Sequence, residues 1–498
     1  MLRTAVPAFV TVLLTAPVLA AAPCEELASA APPHVTVTSA RVVPSGPFAT
    51  PGRGGQTSVA LPAHCRIVAI AAPTADSRIA FEVWLPANNW NGKLQVVGNG
   101  GWAGTISYPA LAAALRNGYA TASTDTGHEG GTATFAVGHP EKVIDFAYRA
   151  VHETTVHAKT FVAAFYGRGP RLSYWNGCST GGRQGLMSAQ RYPEDFDGII
   201  AGAPANAQMA MHAYDLSISV PALIDPGRAV PQSKLALLNQ AVLKACDARD
   251  GVADGFLANP RACTFDPATL LCRGADGADC LTAPQLETVK RVYAPARSRA
   301  GAVVFPGKEP GSETSWNAVA GGAQPPGVSA GSFIAAYNDL NWDWRTFDLD
   351  RDLRVLNDRI GFIDAVDPNL QAFKARGGKL LLYHGWNDTA ISPGNSINYY
   401  SRVLETMGPD QGDWLRLFMA PGMGHCAGGV GPSQVDYLAA LERWRESGVA
   451  PSQLTASRTA NGRVDMTRPI CPYPQVAEFA GSGDPNDAAS FTCKAPAP

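Results

Sequence analysis

Arg171 to Gly185 reads RLSYWNGCSTGGRQG. An apolar, aromatic run (Leu172, Tyr174, Trp175) stops at Gly177-Cys178-Ser179-Thr180-Gly181, a G-x-S-x-G pattern, and a small-residue helix start follows from Gly182. The pattern predicts a sharp strand-to-helix turn that projects the serine hydroxyl, with glycines two residues to either side letting strand and helix pack closely. Such a serine stands at a helix N-terminus, whose free N–H groups receive developing negative charge. G-x-S-x-G arises by chance in Gly-rich chains. The strand before it and the helix after it make Ser179 a candidate nucleophile rather than a turn serine.

A serine nucleophile needs an acid and a base, and on an open α/β sheet these follow it in the order Ser, Asp or Glu, His. After Ser179 the chain has three histidines, His212, His384 and His425. Lys379 to Trp386, KLLLYHGW, reads as a buried strand, with Asn387-Asp388 in the loop opened by Gly385. Trp414 to Met419 reads as another, ending in the loop APGMGHCAGG that carries His425. Catalytic groups on loops after successive strands are what such a sheet offers. Asp388 is therefore the favoured acid and His425 the base. Glu405, in a helical pattern, and Asp410 and Asp413, flanking a polar turn, are the other acids in range. His384 reads as a strand-end residue that hydrogen-bonds the loop.

Cys178 precedes the serine and Cys426 follows the histidine. Paired Cys-Ser and His-Cys dipeptides with an intervening Asp resemble the signature of the tannase and feruloyl esterase family. Gly98-Asn99-Gly100-Gly101-Trp102, GGRQG after the serine, HGWND, RPICPYP and GSGDPNDAASFTC extend the resemblance over the mature chain. The resemblance implies an α/β-hydrolase core with a large inserted lid domain, and a secreted serine esterase acting on esters of hydroxycinnamic, gallic or terephthalic-type acids through an acyl-enzyme on Ser179. It also implies a disulfide tying the nucleophile loop to the histidine loop. The pairings carried over are Cys24–Cys65, Cys178–Cys426, Cys246–Cys263, Cys272–Cys280 and Cys471–Cys493.

Before the nucleophile, His34–Val43, Cys65–Ala72, Arg78–Leu85, Lys93–Val97 and Tyr119–Thr124 read as strands, and Glu141 to Tyr166 as one long amphipathic helix. Lys93–Val97 runs into the glycine-rich loop, which in an α/β-hydrolase supplies one oxyanion-hole N–H while the residue after the serine supplies the other. Gly101 and Thr180 take these roles by backbone. In the long helix, His152-Glu153-Thr154-Thr155-Val156-His157 imitates a zinc motif with one residue too many. Five steps separate its imidazoles by about 140° around the axis, so they cannot share an ion.

From about Asn206 to Leu356 the strand-helix rhythm lapses into Pro- and Gly-rich sequence. The expected organisation is a signal peptide over 1–22, a catalytic domain over 23–205 and 357–498, and a lid over 206–356. Trp316, Phe333, Tyr337, Trp342 and Trp344 are candidate pocket aromatics, each read first as lid core. Within the lid, Cys246 to Phe256 places three carboxylates in eight residues among glycines, as a hard cation requires. Its spacing is not that of an EF-hand. By resemblance it is a structural Ca2+ site with Asp247, Asp250 and Asp254 ligating by side chain and Val252 and Phe256 by carbonyl.

The start of the chain, basic Met1-Leu2-Arg3, apolar Ala5 to Ala20 and Ala20-Ala21-Ala22, is that of an exported protein, secreted or periplasmic. Ten cysteines agree with that compartment. A formal net charge of −2 over 498 residues, without a basic run, argues against nucleic acid or an anionic membrane as partner. The remaining expected partner is a small aromatic ester. Within enzymes the alternative is a peptidase or polyester depolymerase, and outside them a non-catalytic binding protein on the same fold.

Overall fold

The computed structural model describes residues 21–49 and 58–495. The expected leader lies outside them except for its last two positions. Six strands are buried along nearly their whole length, the pattern of strands covered on both faces. In chain order the sheet contains β1 (Val35–Val43), β2 (His64–Ala71), β3 (Ile79–Pro86), β4 (Lys93–Val97), β5 (Ala120–Thr124), β6 (Leu172–Cys178), β7 (Gly198–Gly202), β8 (Lys379–Gly385) and β9 (Leu415–Ala420). Its spatial order is β1-β2-β3-β5-β4-β6-β7-β8-β9. Strands β1 to β3 pair antiparallel at one edge, and β3 meets β5 antiparallel. From β5 to β9 every pairing is parallel. Strand β2 alternates buried and half-buried residues, whereas β8 is buried at every position after Lys379.

Helices α1 (Tyr108–Arg116), α2 (Ala150–Tyr166) and α3 (Thr180–Arg191) cross between the parallel strands. The helix expected from Glu141 to Tyr166 is interrupted. A turn at Pro140–Ile144 and a wide π turn at Asp145–Arg149 precede α2. The wide turn leaves the Phe146 and Ala147 carbonyls to the buried guanidinium of Arg183 on α3, which donates to them at 3.3 and 2.9 Å. The imitation zinc motif is split as its spacing requires, His152 bonding Asp195 at 2.9 Å and His157 stacking on Phe81.

Between β7 and β8 the chain adds α4 (Gln208–Ile224), α5 (Gln232–Cys246), α6 (Ala283–Tyr293), α7 (Gly327–Tyr337) and α8 (Leu349–Ile360). Thr282 and Gln285 form a capping box at α6, with Pro284 in its first turn. Tyr214, Leu235, Val242, Val289 and Trp316 form a core within the insertion. A second core joins Phe333 and Leu356 of the insertion to Trp102 and Phe146 of the sheet layer. Trp102 also donates its indole N–H to the Val328 carbonyl at 2.8 Å, which fixes the glycine-rich loop to the start of α7.

After β8 come α9 (Gly394–Met407) and, beyond β9, α10 (Tyr437–Ser447), capped by the Asp436 side chain and closed by Gly448 in the left-handed region. Two short hairpins end the chain. All ten cysteines are bridged, as Cys24–Cys65, Cys178–Cys426, Cys246–Cys263, Cys272–Cys280 and Cys471–Cys493. Among the described residues no helix is long and apolar enough to cross a membrane.

Candidate active site

Ser179 lies between β6 and α3 with φ 65° and ψ −123°, a conformation of order 1–3 kcal/mol above the common wells for a residue with a side chain. Neighbouring backbone holds it there. Its N–H donates to the Gly202 carbonyl at 2.9 Å, and its own carbonyl accepts from Arg183 and Ala205 at 3.0 and 3.1 Å. A Cβ at Gly177 would come within 2.5 Å of the Gly181 carbonyl oxygen, and one at Gly182 within 2.4 Å of that of Gly202. The small residues of GCSTGG are what allow helix, nucleophile strand and β7 to meet.

Asp388 stands in the loop after β8 and is fully buried. Its Oδ1 accepts the N–H groups of Ala390 and Ile391, each at 2.9 Å. Its Oδ2 accepts from His425 Nδ1 at 2.7 Å and His384 Nε2 at 3.1 Å. Burial alone would raise its pKa, but the hydrogen bonds it accepts from the two histidines hold it well below the usual carboxylate range. Burial lowers the pKa of His425, and the hydrogen bond and charge of Asp388 more than reverse this, leaving it raised. With Nδ1 committed to Asp388, the neutral ring keeps its lone pair on Nε2.

His384 was legible in the sequence only as a residue bonding the loop. It does accept that role, sharing Nε2–H between the Ile391 carbonyl, at 3.1 Å, and Asp388, while Nδ1 faces the Ser396 hydroxyl at 2.8 Å. Two acceptors at Nε2 place the proton there and make His384 a second donor to the acid. The alternative acid Glu405 is exposed on α9, and Asp410 and Asp413 lie in the turn before β9.

Ser179 and His425 line one cavity of about 320 Å³ together with Gly101 and Thr180. Ser179 Oγ makes no hydrogen bond to His425 here; such contacts are often loose in a free enzyme and tighten around substrate. Gly101 has φ 55°, and the Thr180 hydroxyl donates to its carbonyl at 2.8 Å. Among the described residues neither the Gly101 nor the Thr180 N–H donates to a backbone carbonyl. The five candidate aromatics do not line the cavity. Trp316 and Phe333 are fully buried in the insertion's cores, and Tyr337, Trp342 and Trp344 pack against the second of these. Their flat faces serve helix packing, and aliphatic groups from α4, α7 and the Asp388 loop supply the apolar wall instead.

The disulfide Cys178–Cys426 spans 248 residues of sequence with Cα atoms 5.8 Å apart, joining the residue before the candidate nucleophile to the residue after the candidate base. In the chain-entropy model so long a loop contributes about 5 kcal/mol. The Asp388 and His425 loops meet through backbone, since Asn387 and Trp386 donate to the Met423 and Ala420 carbonyls, each at 2.9 Å.

The loop expected to hold Ca2+ lies against the C-terminal hairpins. Asp247 accepts the N–H of Gly255 at 2.9 Å and that of Asp254 at 3.4 Å, and Asp250 that of Val252 at 3.2 Å. Asp254 pairs with Arg468, whose guanidinium lies over the Phe256 ring. Among the described residues no three His, Cys, Asp or Glu side chains are gathered to hold a metal. The donors are nonetheless the hard oxygens calcium takes, and Asp254 Oδ1 is buried without a hydrogen-bond partner. Burial, aided by the charges of Asp250 and Asp247 and opposed by Arg468, raises the Asp254 carboxyl to about 6. The residues therefore fit the ion in donor chemistry and in their uncompensated buried oxygen.

A family model described as tannase and feruloyl esterase matches residues 65–494. An uncharacterized esterase of Xanthomonas campestris pv. campestris is 39% identical over 95% of this chain and 91% of that protein. A probable feruloyl esterase B-2 of Aspergillus terreus is 36% identical over 93% of each. The crystal structure of feruloyl esterase B from Aspergillus oryzae superposes with a TM-score of 0.90 at 30% identity, covering 95% of this chain and 99% of that one.

Two expectations follow from the geometry. If His425 works as a base it must be neutral, so kcat/KM should fall as pH drops through its raised pKa, an acid limb above 6.5. Asp388→Asn should move that limb downward and lower kcat by about 10⁴-fold, while Glu405→Gln changes neither; pH–rate profiles of the three proteins decide this. The double variant Cys178→Ala, Cys426→Ala should retain a folded circular dichroism spectrum yet lose about a hundredfold in kcat, because small misplacements of nucleophile and base are that costly. Full activity in the folded variant would count against a positioning role.

Proposed function

The chain belongs to the tannase and feruloyl esterase family, and from that premise we propose that it is a serine-dependent carboxylic ester hydrolase acting on esters of aromatic acids. The observation that carries the proposal is the shared cavity. It is bordered by a serine held on a strained turn, a histidine oriented by a buried carboxylate, and two backbone N–H groups without carbonyl partners.

In this reading Ser179 Oγ attacks the ester carbonyl carbon and its proton passes to His425 Nε2. The Gly101 and Thr180 N–H groups receive the oxyanion, and Asp388 stabilises the imidazolium. The protonated His425 then delivers the proton to the departing alcohol oxygen, leaving an acyl group on Ser179. Water attacks that acyl carbon and gives its proton to His425. Collapse returns the proton to Ser179 Oγ and releases the acid.

A secreted or periplasmic location is part of the proposal, supported by the five bridges, which persist in oxidising compartments. So is a structural Ca2+ in the loop 247–256, supported by the buried, unpartnered Asp254 oxygen. That loop is remote in sequence from the candidate triad, and the ion would brace the insertion against the C-terminal hairpins.

Ser179→Ala should leave the melting temperature unchanged and lower kcat on methyl ferulate and p-nitrophenyl acetate by about 10⁶-fold. Undiminished hydrolysis by this variant would overturn the proposal. For the ion, chelation with EDTA should remove roughly 3 kcal/mol of stability if calcium is present at a hundred times its Kd, with little change in initial rate. An unchanged melting temperature, with no calcium in metal analysis of protein purified without chelator, would dispose of it.

A further inference from the structure

Helix α4 turns one stripe toward the cavity that holds Ser179 and His425. Gln208, Met211, His212 and Asp215, at i, i+3, i+4 and i+7, all line it. Three of the four are polar, each at least nine-tenths buried. Each carries an atom without a hydrogen-bond partner, namely Gln208 Oε1, His212 Nε2 and Asp215 Oδ1. A buried polar atom left unpaired costs roughly 1–3 kcal/mol, so three in one stripe form a feature that the fold does not need for its own packing. Away from the stripe the lining mixes apolar residues, Val319, Val328 and Ile391 among them, with Ser329, Thr389 and the candidate catalytic groups.

Asp215 is the most defined of the three. Ser329 on α7 donates to its Oδ2 at 2.8 Å, which orients the carboxylate and leaves Oδ1 without a hydrogen bond, ion-paired only at longer range. Lys308 lies behind it, Nζ 3.7 Å from Oδ1, but donates to the Thr389 carbonyl at 2.6 Å and does not line the cavity. No lysine or arginine is among the lining residues. His212 is held by Ser332 at 2.7 Å, and burial lowers its pKa to about 3, so its ring is neutral. The pocket therefore offers an oriented acceptor, and its lining holds no lysine or arginine to receive a substrate anion. From Gln208 to Asp215 the stripe runs about 10 Å at 1.5 Å per residue, comparable with the length of an aromatic acyl group. In an acyl-enzyme the acyl part stays on Ser179 while the alcohol leaves, so at that stage the cavity beside Ser179 holds the acyl ring.

We propose that Asp215, oriented by Ser329 and flanked by His212 and Gln208, is the specificity-determining residue of the acyl pocket, its Oδ1 accepting the hydrogen bond of a phenolic hydroxyl on the acyl ring. The pocket then favours hydroxylated aromatic acyl groups over unsubstituted or methylated ones, which leave that oxygen without a hydrogen bond, and over rings bearing a carboxylate, which no lysine or arginine of the lining would receive. This rests on the esterase reading given above.

The test compares kcat/KM for methyl 4-hydroxycinnamate, methyl cinnamate, methyl 4-methoxycinnamate and monomethyl terephthalate, using wild type, Asp215→Leu and Ser329→Ala. Wild type should prefer the hydroxylated ester on the order of a hundredfold, the range of a hydrogen bond to a charged group. Asp215→Leu should abolish the preference, bringing the ratio of kcat/KM for the hydroxylated ester over methyl cinnamate close to one. Ser329→Ala should reduce the preference severalfold in protein that circular dichroism shows folded. Equal wild-type constants for the hydroxylated and unsubstituted esters, a preference for the terephthalate, or an unaltered ratio in either folded variant would overturn the proposal. Should Asp215→Leu fail to fold, the wild-type ratio and Ser329→Ala still decide. If wild type hydrolyses none of the esters, or Ser179→Ala retains the activity, the esterase reading itself has failed, an outcome distinct from active but unselective hydrolysis.

Discussion

Ser179 occupies a region of backbone space that L-residues avoid, and most of the sequence around it serves to hold it there. The N–H bond to Gly202 pins the turn to β7, while the carbonyl bonds to Arg183 and Ala205 pin it to α3 and to the chain entering the insertion. None of these contacts forms unless helix, nucleophile strand and β7 approach more closely than side chains allow. The same close approach buries Arg183, whose guanidinium then reaches the carbonyls left open by the π turn before α2. One strained dihedral thus sets the spacing of a sheet layer, a helix layer and the entrance to the insertion.

Asp388 organises the other half of the site. One buried carboxylate accepts four hydrogen bonds, two from its own loop, one from the strand that precedes it and one from the loop after β9. A single charge buried at that depth is tolerable only when so fully paired. The pairing also fixes the face that His425 presents. Backbone bonds between the Asp388 and His425 loops hold acid and base together, and the disulfide to Cys178 joins this assembly to the nucleophile turn by a covalent link.

The insertion does two separate jobs. Its aromatic residues are used up in its own core and in the one it shares with the sheet layer. Its α4 stripe contributes the polar atoms of the cavity, and these are left unpaired at a cost to stability. The separation explains why an aromatic-rich segment forms a pocket whose lining contains no Phe, Tyr or Trp.

Read alone, the chain shows the elbow at Ser179, because strand, glycine spacing and helix start are local properties and the turn that joins them is local too. The parallel strands are equally plain, since burial on both faces leaves an uninterrupted apolar run such as LLLY in β8. The motif order and the dipeptides Cys178-Ser179 and His425-Cys426 carry the family, which needs no coordinates. What sequence cannot supply is what depends on contact between distant segments. The second donor to Asp388 is invisible because His384 looks like any strand-end histidine until Asp388 folds back over it. The inward turn of Gln208, His212 and Asp215 is hidden in a helix with apolar residues around most of its circumference, and only the packing of α7 and the Asp388 loop decides which face meets the cavity. Trp316 and Phe333 have the composition of ligand-binding residues, and tertiary packing assigned them to the core because burying a large ring against other helices stabilises the fold more than leaving it at a cavity wall.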